Sequence, residues 1–272
     1  MPQPLAASTV DHSDEWREVL TQGHSTRSLK TLKRVMRLLP GNPRCKVCYN
    51  PFGGFGGSMC RLVGFAPSKK NPRLCSLCCE KMPLGGAEVE TAILFADIRG
   101  STRLAEQLGP SDYAKLLNRF YTVSTAVLIE HDATVDKLIG DEVMAFFVPG
   151  FAGRDFARKA VEAGQALMRA FGYGAGETPW LSVGIGIDLG TAYVGNIGGE
   201  QLVDFTALGD PVNTAERIQG KAGAGELLVS AAAFSAVAER FPQAASRIID
   251  ARGKDAGIGV YAVPVAYTPR RP

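Results

Sequence analysis

No apolar run in this chain approaches the ~20 residues that span a bilayer, so no membrane is expected as a partner. The opening residues, MPQPLAASTVDHSDEWREVL, lack a basic region followed by an apolar core. A secretory signal is therefore not expected, and the cytoplasm is the expected address. A dominant charge is missing too: 30 Lys and Arg against 27 Asp and Glu leave a net charge of +3 over 272 residues. That excludes the basic footprint of phosphate-backbone binding, so nucleic acid is not an expected partner. Internal repeats and low-complexity tracts are also lacking, and 46% hydrophobic with 21% charged residues excludes a disordered chain. Finally, cysteine is absent outside one short zone, with all six between Cys45 and Cys79.

Three zones follow from the patterning. Residues 1–41 turn from polar to helical, where TRSLKTLKRVMRLL places Leu29, Leu32, Val35, Met36 and Leu39 on one stripe and basic residues on the other, until PGNP ends it. Such a stripe serves equally for packing on its own domain or for pairing with a second helix. Residues 42–84 form the cysteine zone, rich in Gly and Pro, and PLGGAE (83–88) reads as a linker. From 88 to 265 strands and helices alternate. TAILFAD is a buried strand, and a long amphipathic helix follows Pro110 through Tyr113, Leu116, Leu117, Phe120, Val127 and Leu128. A second helix carries Phe156, Ala160, Ala163, Leu167 and Phe171. The order β-α-β-β-α-β with extra hairpins predicts an α+β fold, a ferredoxin-like core with helices against one sheet face.

Clustered cysteines in a reducing compartment argue for metal ligation over disulfides. Cys45 and Cys48, with Cys75 and Cys78, make two short knuckles suited to a tetrahedral zinc site. An alternative set, Cys45, Cys48, Cys60 and Cys75, has spacing suited to a [4Fe–4S] cluster, with Phe52, Phe55 and Phe65 as an apolar coat. A zone of about 45 residues buries little core, so a metal staple is physically expected, whether purely structural or redox-sensing.

Three stretches carry candidate chemistry. In FADIRGST (95–102) a buried strand ends in Asp97, and Gly100, Ser101 and Thr102 turn toward a helix whose first N–H groups can cradle phosphate oxygens. In VDKLIGDEVMAFF (135–147) two apolar strands meet at a turn bearing Asp141, with Lys137 just upstream; alternation places Lys137 and Asp141 on one side of the ribbon. If these strands are neighbours, two aspartates meet at one sheet edge, an arrangement that favours hard divalent cations and in-line displacement at phosphorus. In FTALGDPVNTAER (205–217) Asn213 and Arg217 lie four apart on a predicted helix, where Asn can fix a ribose and Arg can offset phosphoryl charge.

Taken together and in this order, FADIRGST, DKLIGDEVMAFF and TALGDPVNTAER resemble the class III adenylate/guanylate cyclase catalytic domain over roughly residues 88–265. The resemblance implies two Mg²⁺ or Mn²⁺ ions on Asp97, Asp141 and the Ile98 backbone. It implies a purine-reading Lys137, a ribose-orienting Asn213 and a transition-state Arg217. It further implies a homodimer with sites shared between chains. Where many members carry an aspartate that reads adenine, this chain has Thr206, as in a bacterial subclass, and Lys137 with Thr206 favours ATP over GTP. Lys254 in ARGKDAG is a candidate triphosphate contact. The expected activity is conversion of ATP to 3′,5′-cyclic AMP and pyrophosphate. The alternatives are a guanylate cyclase, or an inactive cyclase fold serving as a metal- or redox-responsive interaction module.

Overall fold

The computed structural model of the protein describes residues 12–23, 27–78, 81–174, 176, 178–199, 202–251 and 254–265; the side chains at 27–30, 202, 251 and 254–256 are not among those described. Helices α1 (Ser13–Gln22) and α2 (Arg27–Met36) open the chain, and α3 (Gly54–Leu62) lies within the cysteine zone. The catalytic-type succession follows: β1 (Gly85–Ile98), α4 (Ser101–Glu130), β2 (Thr134–Ile139), β3 (Glu142–Phe147), the single turn α5 (Pro149–Ala152), α6 (Phe156–Ala170) and β4 (Val183–Gly199). The chain then forms β5 (Leu202–Leu208), α7 (Asp210–Gly220), β6 (Leu227–Ser230), α8 (Ala231–Ser235), β7 (Ala245–Ala251) and β8 (Lys254–Ala262). The β-α-β-β-α-β order expected from the sequence is present.

One eight-stranded sheet runs β2-β3-β1-β4-β6-β8-β7, with β5 folding back on the far half of β4. Alternation along the long central strands divides the core. Ala92, Leu94, Ala96 and Ile98 of β1, with Val183, Ile185 and Ile187 of β4, face α4 and α6. Val89, Ile93 and Phe95, with Ala192 and Val194, face the other way. That second face is covered as well: Trp16 and Leu20 of α1, Cys45, Cys48 and Leu74 of the cysteine zone, and Phe205 join one buried cluster there. Trp16 stacks on Phe205 with ring centroids 5.7 Å apart. The long central strands are buried on both sides, as the apolar run TAILFAD predicts, whereas the expectation of helices against one sheet face is revised, since α1 and α7 pack on the other.

Three local readings are revised. The helical stripe of α2 ends at Met36, so Leu39 lies outside the helix; Met36 is buried, whereas Val35 is exposed. The stretch read as a linker is already strand, since β1 begins at Gly85. Gly86 faces Gly195 across the ladder, and a Cβ there would fall 2.9 Å from the Gly195 Cα. Those glycines serve close approach of two strands rather than flexibility. The helix α4 starts before Pro110 and is broken at Gly109, whose φ of 72 and ψ of 167 no ordinary helix accepts. Its segment C-terminal to Pro110 buries Phe120 and Leu128 against the sheet, as the apolar spacing predicts.

Candidate active site

Asp97 and Asp141 meet at one end of the sheet. Asp97 pairs in register with Glu142, the first residue of β3, and the Ile98 N–H donates to the Asp141 carbonyl at 3.1 Å. The Asp97 carboxylate is ion-paired with Arg99 and accepts from Gln219 Nε2 at 3.1 Å. Burial, then the charges of Glu216 and Asp141, push the Glu142 carboxyl up to about 7. Burial holds the Arg99 guanidinium below its ordinary value. Asp97, Asp141, Glu142 and Glu216 thus bring more carboxyl groups to this edge than Arg99 can neutralise. Hard oxygen donors with uncompensated negative charge suit a divalent cation, and Asp97, Asp141 and the Ile98 carbonyl are the groups that would hold it.

The chain enters α4 directly beyond Arg99. Gly100 takes a left-handed φ of 75, which lets β1 turn into the helix within two residues. Its carbonyl accepts from Leu104 N–H at 3.1 Å, so Ser101 and Thr102 fall in the first turn, where backbone N–H groups have no helical partner. Tyr121 from the same helix donates its hydroxyl to the Gly140 carbonyl, tying α4 to the hairpin that carries Asp141.

The base-reading candidates also meet. Lys137 Nζ donates to Thr206 Oγ1 at 2.7 Å. Strict alternation would set Asp136 and Lys137 on opposite faces of β2, but a bulge between Val135 and Lys137 shifts the register. Both side chains therefore reach β5. Thr206 Oγ1 donates to Asp136 Oδ2 at 2.6 Å, and Lys137 also pairs with Asp136 and with Asp204, each at 3.0 Å. The Asp136 side chain is completely buried. Although burial opposes it, the bonds from Asp136 and Asp204 raise the Lys137 pKa above its ordinary value.

Helix α7 lies along the same sheet face. Ala215 and Ile218 are buried, while Asn213 is exposed and Arg217 is half-buried on the solvent side. Asn213 and Arg217 are brought near each other by the helix, on a different element from the Asp97–Asp141 edge. Lys254 is the first residue of β8, but its side chain lies outside the described residues.

In the cysteine zone the Sγ atoms of Cys45, Cys48, Cys75 and Cys78 all lie within 4.8 Å of one another, and all four residues are buried. Cys48 and Cys75 sulfurs are 3.5 Å apart, and the Cys75 N–H donates to Cys45 Sγ at 3.2 Å. The Cys48, Cys75 and Cys78 thiols hold the Cys45 pKa far below its ordinary value, while contact with Cys45 and Cys48 pushes Cys75 and Cys78 upward. Cys60 stands apart from this group, beside the Met36 sulfur at 4.0 Å. Cys79 lies outside the described residues. Sequence reasoning singled out the four thiols and the two aspartates, but it missed Asp136, Asp204, Lys70, Gln219 and Glu142. Asp136 stands next to Lys137 in VDKLIGD; nothing in the sequence signals the bulge that turns it inward.

Residues 87–263 match the family described as the adenylate and guanylate cyclase catalytic domain, and the chain belongs to that family. Its fold is that of solved cyclases. The adenylyl cyclase CyaB from P. aeruginosa is 30% identical with a TM-score of 0.56, over 65% of this chain and 94% of that one. The guanylyl cyclase Cya2 is 28% identical with a TM-score of 0.61, over 69% and 98%. Among curated sequences, an uncharacterized protein of Mycobacterium tuberculosis is 34% identical over 71% of this chain, and an adenylate cyclase of Anabaena cylindrica is 33% identical over 73%. The chain spans only 36% and 42% of the length of those two relatives. No helix among the described residues is long and apolar enough to cross a membrane.

Proposed function

We propose that this chain is an adenylate cyclase that converts ATP to 3′,5′-cyclic AMP and pyrophosphate in sites shared between two copies of the chain. The observation that carries the choice of ATP is the hydrogen-bond state of Thr206. Lys137 can only donate, and Thr206 gives its single hydroxyl hydrogen to Asp136 Oδ2 at 2.6 Å. Toward a base Thr206 therefore presents an acceptor. The 6-amino group of adenine matches it, whereas the 6-oxo group of guanine does not.

Asp97, Asp141 and the Ile98 carbonyl would hold the metal ions, and two Mg²⁺ or Mn²⁺ ions bound there would supply acidification of the ribose 3′-hydroxyl and positive charge against the triphosphate. The first turn of α4, from Gly100 through Ser101 and Thr102, offers N–H groups to phosphate oxygens. Asn213 orients the ribose, placing the 3′-oxygen in line with the α-phosphorus, and Arg217 offsets the charge that builds on that phosphoryl group. Lys254 is assigned to the triphosphate. Asn213, Arg217, Lys137 and Thr206 serve a site whose aspartates come from the second copy. Exposed Leu138, Ile139, Val203 and Leu208, on the two hairpins that flank the site, suit an apolar interface with that copy.

In the cysteine zone the reading is one zinc ion held by Cys45, Cys48, Cys75 and Cys78. With bonds of about 2.3 Å, tetrahedral zinc sets its four sulfurs about 3.8 Å apart, consistent with four sulfurs within 4.8 Å. An iron–sulfur cubane attaches its thiolates to four separate irons and spreads them farther. The helical, cysteine and catalytic zones (1–41, 42–84 and 88–265) remain the assigned division, and α1 and the cysteine zone pack against the sheet.

The test of the activity is direct. The purified chain with Mn²⁺ or Mg²⁺ forms cyclic AMP from ATP, and Asp97→Ala or Asp141→Ala lowers this to background while the folded state persists. Cyclic GMP from GTP as the main product would replace adenylate by guanylate cyclase, and neither product would make the chain an inactive module.

A further inference from the structure

The cysteine zone sends one cation into the base-reading cluster. Lys70 stands on a lobe between the two cysteine knuckles. The lobe is closed at its base by the bridge of Pro67 with Cys75, by Ser68 N–H to the Leu74 carbonyl at 2.8 Å and by Ser76 N–H to the Ala66 carbonyl at 2.9 Å. It grips the entry to β2. The Lys70 carbonyl accepts from Val135 N–H at 3.0 Å, Asn71 Nδ2 donates to the Ala133 carbonyl at 2.8 Å, and Arg73 pairs with Asp132 at 2.6 Å. At its tip Lys70 Nζ reaches Asp204 Oδ1 at 2.6 Å, the Phe205 carbonyl at 2.8 Å, the Asp136 carbonyl at 3.0 Å and Asp136 Oδ1 at 3.2 Å. Asp136 and Asp204 are the same two carboxylates that hold Lys137.

We propose that Lys70 is a positioning residue for base recognition: it shares Asp136 and Asp204 with Lys137, so that the carboxylates hold the Lys137 ammonium less tightly and a purine can take over one of its three present bonds. This rests on the reading of Lys137 and Thr206 as the base readers. Two carboxylates and two ammonium groups balance in the cluster. Lys70 draws on both carboxylates; without it Lys137 alone neutralises them, they hold its ammonium more tightly, and a neutral ring nitrogen competes poorly for it. Asp136 has no side-chain exposure, so bulk solvent does little to screen its charge. The lobe reaches this place because its base is fastened at Cys75 to the four-thiol group, through the Cys75 N–H on Cys45 Sγ. The cysteine zone thereby supplies part of the specificity apparatus, beyond acting as a staple.

The test uses the full chain with Lys70→Met and Lys70→Gln, Lys70→Arg, and the double variant Lys70→Met with Asp204→Asn. Equilibrium binding of 3′-deoxy-ATP is measured alongside KM and kcat for ATP and GTP. Loss of one charged hydrogen-bonding partner corresponds to about a tenfold weakening of binding and rise in KM for Lys70→Met and Lys70→Gln. The kcat at saturation stays within about twofold, since the reacting phosphorus is served by other residues. Lys70→Arg keeps the charge and stays near wild type. The double variant restores balance and recovers most of the loss, which a merely structural role of Lys70 does not produce. Should Lys70→Met fail to fold, Lys70→Gln, which keeps hydrogen-bonding capacity, carries the comparison. Unchanged binding in the folded neutral variants, or a loss that Asp204→Asn does not repair, overturns the proposal. A wild-type chain that binds 3′-deoxy-ATP but makes no cyclic nucleotide contradicts the cyclase reading, while the Lys70 effect is still read from binding.

Discussion

Gly186 is a point of close contact between helix α7 and the sheet, and a single methyl group there tests how the fold delivers the helix that carries Asn213 and Arg217. A Cβ on Gly186 would fall 2.6 Å from the Ala215 carbonyl oxygen and closer still to the Gln219 nitrogen, both backbone atoms of α7. Ordinary contacts begin near 3.5 Å, so Gly186→Ala must displace the helix or β4 by about 1 Å. Overpacking of this kind costs about 1–3 kcal/mol. At roughly 2–4 °C per kcal/mol for a domain of this size, Tm falls by about 2–12 °C. The functional loss is larger. Asn213 and Arg217 ride on α7, and Gln219 holds Asp97. A displacement of about 1 Å in positioned groups costs on the order of 100-fold in turnover. The assay is kcat for cyclic AMP formation together with a thermal melt. Gly220→Ala is the control, because a Cβ there meets nothing within 4 Å, and it leaves both quantities near wild type. A Gly186→Ala protein with unaltered kcat and Tm would refute the role of this contact in seating α7.

Changing Lys137→Glu with Thr206→Cys exchanges a donor for an acceptor at the base and lowers kcat/KM for ATP by about 100-fold, given two polar contacts at roughly tenfold each; equal ATP turnover in the folded variant removes these residues from base reading. Metal analysis of chain purified under reducing conditions gives one zinc per chain and no visible absorption, and Cys75→Ser with Cys78→Ser releases it; a coloured, iron-containing protein contradicts the single-ion reading. Asp132 tests the seam between zones, since it takes Lys46, Arg73 at 2.6 Å and Lys159 at 2.7 Å. Burial opposes its ionisation, yet bonds from Lys159 and Lys46 leave its pKa below the ordinary value. A depressed carboxylate gives stability present above the unfolded pKa of about 3.9 and lost as pH falls through the lower folded value. Asp132→Asn therefore lowers Tm at pH 7 and has a shrinking effect below about pH 4; an effect that grows on acidification contradicts that sign.

The fold was legible in the sequence where pattern and period agree. TAILFAD reads as a buried strand because both its faces are apolar, and both are indeed covered, by α6 and by the N-terminal zones. The Asp97 and Asp141 positions were legible because each ends or joins strands that pair through β1 and β3. The four-thiol group was legible from two short spacings. What sequence reasoning missed is non-local. Trp16 on Phe205 joins residues nearly two hundred positions apart, and the amphipathic pattern of a ten-residue helix says nothing about its docking partner. Lys70 looks like one of many surface lysines, because its carboxylate partners lie 66 and 134 residues away. The bulge at Asp136 leaves no compositional trace, yet it decides which side of β2 that carboxylate occupies.

Chain exchange between two inactive variants tests the shared site most directly. Under the proposed function Asp141→Ala removes a carboxylate assigned to the metal ions and Arg217→Ala the cation assigned to the phosphoryl group, and each is expected to abolish activity in its own homodimer. In a mixed dimer one site collects both lesions and the other collects none. Random mixing makes about half the dimers mixed, each with one intact site of two, so roughly a quarter of wild-type activity returns. A mixture that exchanges chains and yet stays as inactive as its parents would mean that each site is built within one chain, contrary to the dimeric mechanism.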